Sequence, residues 1–367
     1  MKVQVTQENL SFALSNASRI ANEKTSLPIL SNILLRTENN RLLVAATNLE
    51  ISSSNLIGAK VQSQGVITVP ARILTEFVSN LPKETIDLEV KKNQLTISAG
   101  NYTSTINGME SDEFPELPIV DESQGIKIEL SVSVFKEAVT QTIITASNDS
   151  TRPVLTGVYW HSYEGSLYLA ATDGYRLSER RIVENTDEIS AIIPTSTLQE
   201  TLRSIHDGIE VIELLFTESE VHFRMGDVVI TSRLIDGKFP DYRQLIPATT
   251  DISGRITKKE LVRVVKIASL FARESGGGIT LNIDKDTNLL SINSITSEVG
   301  ENTSKVEIKD VSESGSITLN SRYLNDALSV LNEDEIIIGF SGKLSPFILS
   351  GDTHSGVYKH IVMPLKS

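Results

Sequence analysis

Apolar residues recur with a helical period over residues 7–21, where Leu10, Ala13, Leu14, Ala17 and Ala21 fall at i, i+3, i+4, i+7 and i+11. The same stripe returns 125 residues later as Phe135, Ala138, Val139, Thr142 and Ala146, and a further 126 residues on as Leu261, Val264, Val265, Ala268 and Ala272. A shorter helical stripe repeats in step: Leu74, Val78 and Leu81, then Leu198, Leu202 and Ile205, then Leu324, Leu328 and Leu331. Each follows an apolar strand end at Val69, Ile193 or Leu319. Pro70 and Pro194 introduce the first two, with Thr195 or Ser196 as a cap, and Asn320 or Ser321 caps the third.

Between these helices the pattern changes to the alternation of half-buried antiparallel strands, at residues 33–37, 95–98, 221–224, 228–231 and 280–283. Turns are marked at residues 38–40, 164–165 and 286–288. Each repeat reads as helix, strands, helix, strands, which predicts α+β domains with antiparallel sheets and no parallel βαβ winding. Proline-bearing seams close the repeats: residues 114–118, residues 239–247 with Phe239, Pro240, Asp241 and Tyr242, and residues 362–365. The expected domains are 1–120, 121–248 and 249–367.

One motif is shared and then diverges. Val44, Ala45, Ala46, Thr47, Asn48 recurs as Leu169, Ala170, Ala171, Thr172, Asp173, an offset of 125 from position 44 to position 169. Only the second copy continues into Gly174, Tyr175, Arg176 and Leu177, and Asp173 with Gly174 is by itself a turn signal.

Composition narrows the chemistry. The 367 residues suffice for two or three full cores. With no cysteine, the chain has no disulfides, thiolate metal sites or cysteine nucleophiles, which points to the cytoplasm. Lys2, Glu8 and Arg19 interrupt the start, so no signal core is expected there, and no apolar run reaches the length of a membrane span. A net charge of -13 repels phosphate unless the positive residues are segregated.

The threefold repeat, the run from Ala171 to Leu177, the seam at Phe239 and the ending Val362, Met363, Pro364, Leu365 together resemble the bacterial DNA polymerase III beta subunit family, the sliding clamps, over the whole chain. The resemblance implies three similar clamp domains per chain and a head-to-tail homodimeric ring, lined by helices with antiparallel sheets outside. Such a ring encircles duplex DNA without regard to sequence and has no catalytic activity of its own. It tethers the polymerase III alpha subunit, the clamp loader and other clamp-binding proteins through short linear peptides. Two lining helices per repeat give a dimer about 12; at roughly 10 Å apart they leave an opening of about 28 Å, wide enough for a duplex of roughly 20 Å.

Charge fits this expectation best in the third repeat, where Arg255, Lys259, Arg263 and Lys266 share one predicted helical face opposite the apolar stripe, with Lys258 and Arg273 adding to it. The resemblance adds Lys24 and Arg72 as DNA contacts, together with Arg152 and Arg203, with Lys24 and Arg152 on loops at a ring face. Thr195 and Ser196 depart from the family, which often has basic residues there. A few screened contacts suit sliding, with retention supplied by ring closure.

By the same resemblance, partner peptides dock on Leu155, Thr172, Gly174, Tyr175, Arg176, Leu177, Pro240, Leu245, Leu344, Pro346, Val362, Met363, Pro364 and Leu365. Leucine, valine and proline would form an apolar floor, Met363 an adaptable wall, and Tyr175 and Arg176 a polar rim. Gln244 stands where the family commonly has a basic residue. The dimer contact would join the edge strand around Ser104 and Ile106 to the third repeat near Leu270 and Phe271.

Enzymatic readings find little support. His161, His206, His222, His354 and His360 lack metal-ligand spacing, and no cofactor motif is present. Ser133 and Lys136 match a Ser-x-x-Lys spacing inside the repeated helix, without companion motifs. Gly276, Gly277 and Gly278 lack the residues of a phosphate loop. The alternative to the clamp is a non-catalytic peptide-binding scaffold that does not encircle DNA.

Overall fold

The computed structural model describes residues 1–21, 27–118, 123, 125–273, 276–296, 300–351 and 357–365, with the Thr296 side chain left out. Lys24 and His354 therefore lie outside the described residues. In chain order the first elements are β1 (Lys2–Thr6), α1 (Gln7–Ile20), β2 (Asn32–Glu38), β3 (Arg41–Thr47), β4 (Ile51–Gly58), β5 (Lys60–Ser63), β6 (Val66–Pro70), α2 (Ala71–Ser79), β7 (Thr85–Lys91), β8 (Gln94–Ala99) and β9 (Tyr102–Asn107). Then come β10 (Ile126–Ser131), α3 (Val132–Ile143), β11 (Gly157–Tyr163), β12 (Ser166–Thr172), β13 (Arg176–Glu184), β14 (Ser190–Pro194), α4 (Thr195–Ser204), β15 (Val211–Phe216), β16 (Glu220–Met225) and β17 (Val228–Arg233). The last are β18 (Ile252–Thr257), α5 (Lys258–Ala272), β19 (Gly278–Asp284), β20 (Leu289–Thr296), β21 (Gly300–Glu307), β22 (Gly315–Asn320), α6 (Ser321–Val330), β23 (Glu335–Phe340), β24 (Phe347–Gly351) and β25 (Tyr358–Val362).

The chain divides into two compact units, Met1–Phe135 with Ser196–Leu234, and Lys136–Thr195 with Ile235–Ser367. The middle repeat contributes strands to both. In the first unit an eight-stranded sheet runs β10-β15-β16-β17-β4-β3-β2-β6, beside a five-stranded sheet β5-β1-β7-β8-β9. In the second, an eight-stranded sheet runs β14-β11-β12-β13-β25-β24-β23-β18, beside a four-stranded sheet β21-β20-β19-β22. All strand pairs named in these sheets are antiparallel, as the period-2 alternation requires.

The helical stripes are the cores. In α5 the buried residues are Leu261, Val264, Val265, Ala268 and Ala272, the expected set. In α1, Leu10, Ala13, Leu14 and Ala17 are buried, but Ala21 is the C-cap residue, and Ala146 lies beyond the end of α3. Asn320 caps α6 by accepting the Arg322 N–H at 2.9 Å. Helix α4 begins at Thr195, so Thr195 and Ser196 lie inside its first turn instead of capping it. No described helix is long and apolar enough to cross a membrane.

Candidate functional site

The turn after β12 is built by side chains of its own sequence. Asp173 Oδ1 accepts the N–H groups of Tyr175 and Arg176 at 2.9 and 3.0 Å, while Thr172 Oγ1 accepts the Gly174 N–H at 3.0 Å. The Thr172 hydroxyl donates to the Arg176 carbonyl at 2.7 Å. This geometry places Gly174 at φ +92°, a left-handed conformation that glycine adopts without a side-chain clash. The first repeat makes the same turn: Asn48 Oδ1 accepts from Glu50 and Ile51, Thr47 accepts from Leu49, and Leu49 carries φ +76°. The copies therefore diverge in side chains on a shared backbone.

Strand β25 lies beside β13, with Leu177 opposite Ile361 and Arg176 opposite Val362, and the Met363 N–H donates to the Tyr175 carbonyl at 2.8 Å. The tail continues as far as a bond from the Leu365 N–H to the Thr318 carbonyl at 2.9 Å. Beneath the turn Leu155, Ala170, Leu177, Ile192, Phe239, Tyr242 and Ile361 form one apolar cluster. Leu155 and Leu177 are thus buried within this cluster. Tyr175, Pro240, Leu245 and Leu344 are exposed, and Thr172, Pro346, Met363, Pro364 and Leu365 are half-buried. These exposed and half-buried residues are the ones that can meet a ligand in this unit.

Two expectations change here. Val362 is fully buried in the core of the third repeat and is not part of the floor. Arg176 is not a rim donor: it is buried, paired with Asp173 at 3.0 Å and Asp326 at 2.6 Å, and its guanidinium sits 4.6 Å over the Tyr323 ring. Burial, then Asp173, raises the Tyr323 pKa.

A buried aromatic network holds the connector at residues 239–243 to the same unit. Phe239 stacks on Tyr159 at 4.9 Å, and Tyr159 stacks on His161 at 4.6 Å. The Tyr242 hydroxyl donates to Glu179 at 2.6 Å and meets His161 Nε2 at 2.7 Å. With that hydroxyl proton committed to Glu179, His161 Nε2 is the donor to the Tyr242 oxygen. Arg243 pairs with Glu179 at 3.1 Å and lies 3.6 Å over Tyr163 and 4.4 Å over Tyr168. Burial, then the Arg243 charge, lowers the His161 pKa to about 4. Burial, then Glu179, raises that of Tyr242. The sequence pattern did not reveal this network; its signal was the seam of Phe239, Pro240, Asp241, Tyr242 and Arg243.

The basic residues separate into paired and unpaired groups. Lys259, Arg263 and Lys266 are exposed on α5, without an ion pair among the described residues. Arg255 does not share their helix: it lies on β18, 3.3 Å from Asp310 and 3.5 Å from Glu335. Lys258 turns inward and donates to the Leu331 carbonyl. Arg72 on α2 pairs with Glu76 at 3.1 Å, both exposed, and the exposed Arg203 on α4 pairs with the half-buried Glu200 at 2.6 Å. Arg152 pairs with Asp149 at 3.6 Å, and a Cβ added at Gly174 would lie 3.7 Å from its guanidinium. This places Arg152 beside the turn at Gly174. Ser104 and Ile106 lie on β9, at one edge of the five-stranded sheet, with Ile106 buried within its own unit. Leu270 is exposed and Phe271 half-buried on α5. Among the described residues no group of three or more His, Asp or Glu is placed to hold a metal ion.

Three family models match in succession: the N-terminal domain of the DNA polymerase III beta subunit at residues 1–118, its central domain at 129–241 and its C-terminal domain at 243–366. The chain is 31% identical to the beta sliding clamp of Synechococcus elongatus over 359 residues, covering 95% of each chain. It is 29% identical to that of Staphylococcus epidermidis over 380 residues, covering 100% of each. The solved sliding clamp of Bacillus subtilis superposes with a TM-score of 0.94 at 27% identity, covering 100% of this chain and 99% of that one. The beta subunit of Thermotoga maritima gives 0.91 at 27% identity with the same coverage.

Proposed function

The chain belongs to the DNA polymerase III beta subunit family, the non-catalytic sliding clamps of DNA replication, and from that membership we propose how its surfaces serve the clamp. Two copies close head to tail around duplex DNA. The observation that carries this reading is the division of the sheets. Each unit has one complete eight-stranded sheet and one of about half that size, ending on β9 in one unit and β21 in the other. Each complete sheet joins strands of two successive repeats, so β9 of one copy and β21 of another supply the halves of a third such seam. Exposed strand edges are aggregation templates unless paired, which favours this closure over an open chain.

The cations Lys259, Arg263 and Lys266, without an ion pair among the described residues, face the duplex, with Arg72 and Arg203 as weaker contacts because each is already paired. Lys24, on the resemblance alone, joins them. The segment from Leu155 and the Thr172 to Leu177 turn across to Leu245, Leu344, Pro346 and the Met363 to Leu365 tail receives short peptides of the polymerase, the clamp loader and other clamp-binding proteins. Here an apolar peptide side chain replaces water over Met363, Pro364 and Leu245.

The test is to load the protein on nicked circular DNA with a clamp loader and then linearise the circle. Loss from the linear ends is expected. Retention on the linear form, or no loading at all, would overturn encirclement and favour the scaffold alternative.

A further inference from the structure

We propose that the seam where β4 meets β17 holds a binding pocket for a nucleobase, with the rings of Phe12 and His206 as its stacking faces and Asp227 as an acceptor at its edge.

The pocket emerges when this seam is set against its sister, where β13 meets β25. Asn55 on β4 lies opposite Val228, and Arg180 on β13 lies opposite Tyr358. Asn55 and Arg180 are matched positions of the repeat, 125 residues apart, and each is met by the matched helix residue. Asn16 of α1 donates to Asn55 at 2.9 Å, and Arg180 donates to Gln141 of α3 at 3.0 Å. One turn earlier the helices carry Phe12 and Glu137, again 125 apart, while His206 and Asn332 follow α4 and α6 at an offset of 126. Both of these pairs touch: the Phe12 and His206 ring centroids are 4.8 Å apart, and Asn332 donates to Glu137 at 3.3 Å.

The seams differ in the bulk placed between those contacts. In the sister seam Tyr358 is 0% exposed and its hydroxyl donates to the Gln141 carbonyl at 3.1 Å, while the Arg180 guanidinium lies 2.9 Å from Glu137. A phenol ring and a guanidinium take up the room beneath α3. In the first seam the same positions are Val228 and Asn55, both smaller, and a cavity of about 230 Å³ lies against them. Phe12, Arg41, His206 and Asp227 line it as well, all within one compact unit. Side-chain size at the two matched positions accounts for the difference, since packing is otherwise close to uniform.

The lining selects the ligand. Phe12 is half-buried and His206 exposed, and their rings are tilted by 58°, so they form a corner with two aromatic faces. Arg41 donates to both Asp227 oxygens, at 2.8 and 2.5 Å, and also to the Leu56 carbonyl. With Arg41 committed in this way, the pocket recognises a ring more than an anion. The Asp227 side chain is 62% exposed, and the bonds from Arg41 hold its carboxyl below the ordinary pKa, so each oxygen keeps a lone pair for a second donor. A nucleobase supplies both a π face for the aromatic corner and an amino group for the carboxylate. The cavity is smaller than the roughly 300–1,000 Å³ of pockets for drug-sized ligands, which suits one ring system and not a run of peptide side chains.

The probe is adenosine, which has the amino group and no phosphate, added to the full chain and followed by saturation-transfer NMR. Transfer to the adenine protons is expected, with a millimolar Kd. Phe12→Leu keeps an apolar side chain but removes the stacking face, and is expected to raise that Kd about tenfold or more. Val228→Tyr, which fills the cavity as Tyr358 fills the sister seam, is expected to abolish binding, with a melting curve to check the fold. Thymidine, with a carbonyl where adenosine has its amino group, is expected to bind more weakly; equal affinity overturns Asp227 as the acceptor. Unchanged adenosine binding in Phe12→Leu overturns the pocket. Binding of N-acetyltyrosinamide but not of adenosine overturns the nucleobase and makes this a site for an aromatic side chain. A short single-stranded oligodeoxyadenylate that displaces adenosine at lower concentration identifies single-stranded DNA as the source of the base, and failure to displace it identifies a free nucleoside; both uphold the pocket.

Discussion

Asp326 Oδ2 lies 2.6 Å from a guanidinium nitrogen of Arg176, so a residue on α6 fixes the side chain that begins β13. With Asp173 on the other side of the guanidinium and Tyr323 under it, Arg176 braces the turn at Asp173 from beneath. Arg176→Ala leaves both carboxylates without their cation. Because Asp326 remains about a third exposed, the expected cost is only ~1–2 kcal/mol in urea unfolding, below that of a fully buried pair. Peptide affinity is expected to fall as the turn loosens. Equal stability and affinity in the variant would show that the ion pair braces nothing.

The paired turns of the first two repeats give a test of backbone strain. Leu49 holds φ +76° with a side chain, and Gly174 holds φ +92° without one. Leu49→Gly is expected to stabilise the chain by ~0.5–1 kcal/mol and Gly174→Ala to destabilise it by ~1–2 kcal/mol. Thermal or urea midpoints moving in the same direction for both changes would contradict the shared geometry.

His161 and His360 are buried and held neutral, at about 4 and about 3, against an ordinary value of 6.5. Desolvation is the leading cause in each, followed by Arg243 for His161 and Arg176 for His360. Depressed values mean that the unfolded chain takes up protons the native chain refuses. Their contribution is whole above pH 6.5 and is lost as pH falls toward 4 and 3, at up to ~1.4 kcal/mol per pH unit for each. Urea midpoints are expected to drop between about pH 7 and about pH 5. His161→Gln, which removes the titration, is expected to flatten that slope; an unaltered slope would assign the acid sensitivity elsewhere.

What the sequence disclosed was local and periodic. The stripe of α5 is read correctly to the last residue because burial follows the 3.6-residue period directly. The turn at Asp173 is legible because its bonds are made by neighbours. Arg255 was misplaced because a strand and a helix meet at Thr257 and Lys258, and an i, i+4 spacing continued across that junction has no physical meaning. Arg176 was misread because its partner, Asp326, is 150 residues away, and the contact of His161 with Tyr242, 81 residues apart, was not legible for the same reason. Side-chain pairing at such separations leaves no period in the sequence.

The exposed cations of α5 differ from Arg255 in a way that salt reveals. Replacing Lys259, Arg263 and Lys266 with Ala is expected to lower the slope of log affinity against log salt for a short linear duplex by ~0.9 for each phosphate no longer neutralised. Arg255→Ala, whose guanidinium already serves Asp310 and Glu335, is expected to leave that slope within error and instead to lower stability. The opposite ranking would place the DNA path over β18.

Docking should depend on the exposed members of the proposed peptide site. Leu177 is buried in the cluster with Leu155, Phe239 and Ile361, so Leu177→Ala opens a cavity costing ~2–5 kcal/mol and cannot report on binding alone. Met363 and Leu245 reach the surface and can be truncated without emptying that core. Met363→Ala with Leu245→Ala is expected to weaken a polymerase tail peptide about tenfold or more in a fluorescence titration, since each substitution removes apolar area that the peptide would cover. Sedimentation of the same variant should match the unsubstituted protein, because neither side chain is on β9, β21 or α5. Unaltered peptide affinity would move the docking site away from the tail, and an altered mass would mean that the two surfaces are coupled.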